Sequence, residues 1–234
     1  MAEDTNLGLP NDGWIWHRVR AAPKEVMGDL RSQGLVPLAP DDATRETFYS
    51  AAGYLAAVPD LEAELIRHVR EVTPLAADFG YDISHSEPRW PTTIFVSVPS
   101  TTECYSALRL LENIIHEGMH LRLTSIERLH PLVRPDADRL FSPWKDQDRD
   151  AQGVLHGLYV FTCIASVFAK PRLLAFLDSN GMIYASRRVA EIKKELEYVD
   201  IKMLNQKLNC LGQSFLKDLL MQNNDQSPWI LSPL

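Results

Sequence analysis

Cysteine is scarce in this chain: its 234 residues carry three, Cys104, Cys163 and Cys210. An odd number at wide spacing excludes a disulfide framework and a cysteine-based zinc site. Cys163 and Cys210 lie among apolar neighbours and read as small core hydrophobes. Positive charge is also in short supply, since 24 Lys and Arg against 31 Asp and Glu leave a net charge of −7. Such a chain has no general attraction for phosphate backbones, so nucleic acid is not an expected partner. Long apolar runs are missing too. The greasiest stretch, residues 153–169, falls short of a membrane span and contains His156 and Gly157, so no membrane partner is expected. Residues 1–10 are acidic and lack the basic and apolar regions of a signal peptide, which makes a cytoplasmic protein the expectation. No repeat or low-complexity tract occurs. What is present, 45% hydrophobic and 24% charged residues, is the balance of a folded domain and excludes disorder as the main state.

The pattern of apolar residues predicts a mainly α protein. Residues 1–40 are broken by Gly8, Gly13, Gly28 and Gly34 and by four prolines, and read as an irregular lead with one short helix over 23–33. Residues 41–234 read as one helical domain. Asp42 or Thr44 caps a helix whose apolar face is Phe48, Ala51, Ala52 and Leu55, and Pro59-Asp60 opens a second one carrying Leu61, Leu65, Val69 and Val72. Residues 94–98, bracketed by Pro91 and Pro99, form the best strand candidate, with residues 14–19 as a possible pairing partner. A long helix follows over 100–129, with Leu108, Leu111, Ile115, Met119 and Ile126 on one stripe. Three prolines make residues 130–144 a loop. Residues 150–169 are apolar almost all round and predict a buried helix. Residues 183–222 predict one very long amphipathic helix or a hinged pair, suited to an intramolecular wall or a homodimer interface.

The informative segment is His116-Glu117-Gly118-Met119-His120, an H-E-x-x-H pattern inside the long helix. Two histidines four residues apart stand one turn from each other on one face, so both imidazoles can hold one metal ion. Glu117 is offset around the helix, close enough to act on a metal-bound water or to orient a ligand. A metal needs a third ligand. The extended zinc-protease pattern would require Gly at 123 and His at 126, but Leu123 and Ile126 stand there. A glutamate from a following helix is missing as well, since none occurs between Glu127 and Glu191. His156, polar in an otherwise greasy helix, is the better candidate, although a carbonyl or tyrosine partner would equally satisfy a buried imidazole. His17, His85, His130 and His68 are weaker candidates. Lys145 and Arg149 sit just before the His156 helix, where they can hold an anionic group or simply be solvated. Trp90, Trp144 and Tyr159 are candidates to line a pocket.

Four blocks together resemble a known family: residues 93–99 (TIFVSVP), 112–121 (ENIIHEGMHL), 142–144 (SPW) and 153–161 (GVLHGLYVF). They are similar to the HExxH-motif peptide-modification proteins found with ribosomally synthesised, post-translationally modified peptides. The resemblance spans roughly residues 90–165. It implies a largely helical fold that is not a double-stranded β-helix, with the metal site between two buried helices. It implies His116, His120 and His156 as ligands of Fe(II), with 2-oxoglutarate as co-substrate, and β-hydroxylation of an amino-acid residue in a peptide or amino-acid substrate such as a precursor peptide. The chain departs from the family pattern at Lys145, where the family carries Arg, and at Arg149-Asp150, where it carries Arg-Pro.

The expected activity is therefore that of an Fe(II)/2-oxoglutarate-dependent dioxygenase of natural-product biosynthesis. Three neutral histidines leave the ion's charge uncompensated, which suits a dianionic chelating co-substrate. Its far carboxylate would pair with Arg149 first and Lys145 second. Glu117 then serves as an outer partner rather than a general base. Two rivals come from other classes: a Zn(II) peptidase or hydrolase with Glu117 as general base, and a non-catalytic helical binding module that merely keeps the motif.

Overall fold

The computed structural model describes residues 14–135 and 138–222, and the architecture is mainly helical, with two small sheets. A 3-10 turn, Trp16–Arg18, leads into α1, Lys24–Ser32, which Gly34 ends with a left-handed φ of 77°. Helix α2, Asp42–Ala56, is capped by Asp41, whose carboxylate accepts from the Thr44 amide; neither expected cap, Asp42 or Thr44, is the one used. Helix α3, Pro59–His68, begins at a proline whose missing N–H would have been unpaired anyway.

The predicted continuation of α3 through Val72 does not occur. Val69 leaves the helix in an extended conformation, and Glu71–Leu75 forms strand β1. With β2, Ser84–Ser86, and β3, Thr93–Ser97, it makes a three-stranded sheet in the order β1-β3-β2, parallel between β1 and β3 and antiparallel between β2 and β3. The strand predicted around residues 94–98 is therefore present and central. Residues 14–19 do not pair with it: they form the 3-10 turn, and Val19 makes an isolated parallel bridge to Val72.

Helix α4, Ser106–Leu129, starts later than predicted, after Tyr105 in a left-handed conformation at φ 60°. The segment read as a loop then contains part of a hairpin, β4, Leu140–Ser142, and β5, Gln147–Arg149, whose turn passes through Asp146 at φ 48°. Helix α5, Ala151–Phe168, is buried as expected, with Asp150 accepting from the Gly153 amide. Its length and apolarity would just allow a membrane span, but 67% of it is buried inside the fold, where it serves as a core helix. The C-terminal stretch is divided further than the apolar stripes suggest. A short α6, Pro171–Leu174, precedes α7, Ser179–Leu196, α8, Ile201–Lys207, and α9, Cys210–Gln222.

The main core gathers α2, α3, α4 and α5 with Ile94 and Val96 of β3, and Phe48, Leu110, Leu111, Ile114, Ile115 and Val160 are fully buried within it. A smaller core lies on the other side of the sheet, where Val26 and Leu30 of α1 meet Leu75 and Phe95. Two contacts hold α4 against its neighbours. Gly118 allows α4 to pack directly on α3, since a Cβ there would stand 2.2 Å from Leu65 Cδ2. Arg109 ties α4 to the loops beside the sheet through Asp82 (2.9 and 3.0 Å), Glu103 (2.7 Å) and the Tyr81 carbonyl. Of the two cysteines read as core residues, Cys163 is buried and Cys210 is exposed.

Candidate metal centre

The middle of α4 presents His116, Glu117 and His120 to a cavity of about 580 Å³. Helix α5 contributes His156, Gly157 and Phe161 to the same cavity; the hairpin contributes Ser142, Trp144, Lys145 and Arg149, and β2 supplies the facing wall. His116, Glu117, His120, Lys145, Arg149 and His156 thus line one space. They are not all in contact. His120 Nδ1 lies 3.1 Å from His156 Nδ1, with the two rings stacked at 5.3 Å. His116 meets His120 edge to face, at 4.8 Å between ring centres, and meets Phe161 in the same manner at 5.3 Å. Among the described residues, no three His, Cys, Asp or Glu side chains converge on one point.

The pair of Nδ1 atoms is chemically informative. Two nitrogen lone pairs cannot face each other at 3.1 Å without a proton or a cation between them. Two ligands at about 2.1 Å from a metal and about 90° apart would themselves be about 3.0 Å apart, so this spacing fits a shared ion. The protonation states fit as well. Burial, aided by Lys145 and Arg188, lowers His116 to about 4. Burial, followed by the neighbouring His116, His156 and Lys145 and opposed by Glu117, lowers His120 to about 3. Both imidazoles are neutral near pH 7, the form that binds metals.

His156 is satisfied on both sides, since its Nε2 lies 2.7 Å from Glu127 Oε2. Sequence reasoning missed Glu127. The available signal was its position seven residues after His120, two turns along the same face of α4. Glu117 is buried, with Oε1 3.8 Å from His116 Nε2.

Gly157 explains the shape of the floor. A Cβ there would come within 2.5 Å of the Trp144 ring, which lies over this position and stacks on Phe161 at 5.1 Å and 15°. Lys145 and Arg149 have no ion-pair partner among the described residues, and both line the cavity. The N-terminus of α5 beside them is capped by the chain's own Asp150. Trp90 and Tyr159 do not line the cavity. Trp90 packs edge-on against Phe95, and Tyr159 is buried, its hydroxyl between Arg122 and Met119 Sδ. His85 reaches the cavity from β2, whereas His68 sits beside Glu64 on α3.

No protein-family model matches the chain, and no curated protein matches it.

Proposed function

We propose that the protein is a mononuclear non-haem iron oxygenase in which His116, His120 and His156 hold Fe(II) and 2-oxoglutarate is the co-substrate. The reading rests above all on one observation: the His120 and His156 nitrogens meet at 3.1 Å in a cavity that also presents two cations with no ion-pair partner among the described residues. An Fe(II) ion there would supply oxidation of 2-oxoglutarate by O2 to succinate and carbon dioxide, with one oxygen atom placed in a C–H bond of the substrate.

The chain's own residues prepare that chemistry. His116 and His120, whose surroundings disfavour protonation, offer lone pairs without first losing protons. A ligand set without a carboxylate leaves the ion's charge to be balanced by an acidic co-substrate. Arg149 and Lys145 can pair with its distal carboxylate, Arg149 through a two-pronged contact that Lys145 cannot make. Trp144 and Phe161 form an apolar floor that excludes water from one side. Glu117, buried beside His116, orients the ligand side of the centre. The cavity has room for a small acid and one residue of a substrate. A peptide or amino-acid substrate, including a precursor peptide, is part of this proposal, as is a β-carbon target in modified-peptide biosynthesis. We also propose that the protein acts in the cytoplasm, consistent with its free thiols.

One observation favours a second reading: Glu117 stands close enough to the histidines to activate a zinc-bound water in a hydrolase. The two are separated by incubation with candidate peptides, Fe(II) and 2-oxoglutarate. A substrate gain of about 16 Da, one oxygen atom, supports the oxygenase. Cleavage with Zn(II) and no requirement for oxygen supports the hydrolase and contradicts the proposal.

A further inference from the structure

The carboxylate of Glu127 stands out because of what accompanies it. It is 7% exposed, and no Lys or Arg pairs with it among the described residues. A carboxylate so placed loses much of its hydration and needs compensation. What it receives are two hydrogen bonds to one oxygen: the Nε2–H of His156 and an Nε2–H of Gln152, both at 2.7 Å. Gln152 is one turn before His156 on α5, so α5 brings two donors to a single point on α4. The bond from His156 has a directional consequence. An imidazole that donates from Nε2 carries its lone pair on Nδ1, and that atom points toward His120.

We infer that Glu127 is a positioning residue of the metal centre, fixing His156 in the tautomer and orientation that present Nδ1 to the ion, with Gln152 holding the carboxylate in place. Carboxylate–histidine–metal relays of this kind raise the basicity of the ligand and lock its ring. The ion's positive charge, felt through the imidazole, is also the compensation that the buried carboxylate otherwise lacks. The inference rests on the proposed metal site and assigns it a residue beyond the H-E-x-x-H pattern.

The test uses the full chain and Zn(II) alone, with affinity measured by competition against a chromophoric chelator. Wild type is compared with Glu127→Gln, Glu127→Ala, His120→Ala and His156→Ala. The Glu127 variants are expected to bind Zn(II) about 10–100-fold more weakly, with little change in the melting temperature of the metal-free protein. The Co(II)-loaded wild type should also show a paramagnetically shifted, slowly exchanging imidazole N–H resonance that is lost in Glu127→Ala. Should Glu127→Ala fail to fold, Glu127→Gln carries the comparison, because it keeps the size and an acceptor while removing the charge. If both Glu127 variants match wild type in affinity and resonance while His156→Ala loses metal, the positioning role is overturned and the metal site stands. If His120→Ala and His156→Ala bind as tightly as wild type, the metal site falls, and this inference with it.

Discussion

At Gly157, two hydrogens on the α-carbon leave room for the Trp144 indole to lie across α5, and the indole in turn supports Phe161 beneath His116. Gly157→Ala would force a methyl group to within 2.5 Å of that ring. The variant is expected to lose about 1–3 kcal/mol of stability and to displace Trp144, visible as a change in tryptophan fluorescence and in urea midpoint. The histidines make a second prediction. His116 and His120 titrate at about 4 and about 3 in the folded protein, below the ordinary 6.5 that the unfolded chain approaches. As pH falls from 6.5 toward 4, the unfolded state binds more protons than the folded state, so the metal-free protein loses stability throughout that window. Urea midpoints should fall from neutral pH to about pH 5, and a His116→Asn/His120→Asn variant should show a flatter dependence. At this scale much of the site was legible. Histidines four apart on a helix declared themselves, and His156 was conspicuous because a lone polar residue interrupts an apolar run. Glu127 was not recognised, because its role depends on a partner 29 residues away that only tertiary packing brings close.

Elements were legible where their periodicity was unambiguous. Helices α4 and α5 follow from their apolar patterns, and the central strand from its β-branched run between prolines. Strand β1 was misread because Val69 and Val72 fit a helical stripe as well as they fit a buried strand. The division of the C-terminal stretch has a local cause: Asp200 accepts from the Met203 amide and Asn209 from the Gly212 amide, each side chain capping a new helix. The stripes run across both breaks, so periodicity alone concealed them. The tether at Arg109 gives a prediction at the level of elements. Arg109→Ala leaves Asp82 and Glu103 without their cation and releases the loops beside the sheet from α4. A loss of about 2–3 kcal/mol is expected, with faster amide exchange at Gly80, which donates to Glu103. Unchanged stability and exchange would show that the loops are held by other means.

Across the whole molecule, a net charge of −7 surrounds a cavity whose two hairpin cations, Lys145 and Arg149, have no ion-pair partner among the described residues. The bulk charge disfavours polyanions, while the local charge suits a small dianion admitted to a histidine cluster. Helices α4 and α5 supply the histidines from the core, and the hairpin adds the cationic rim. The proposed role of the three histidines is to hold an iron at which 2-oxoglutarate is oxidised. It is tested most directly by measuring succinate after aerobic incubation of the protein with Fe(II), 2-oxoglutarate and candidate peptides, in wild type and in His120→Ala. Oxygen-dependent succinate is expected from wild type, and none above background from His120→Ala. Peptide cleavage by the Zn(II) protein without oxygen, and no succinate under any of these conditions, would contradict it.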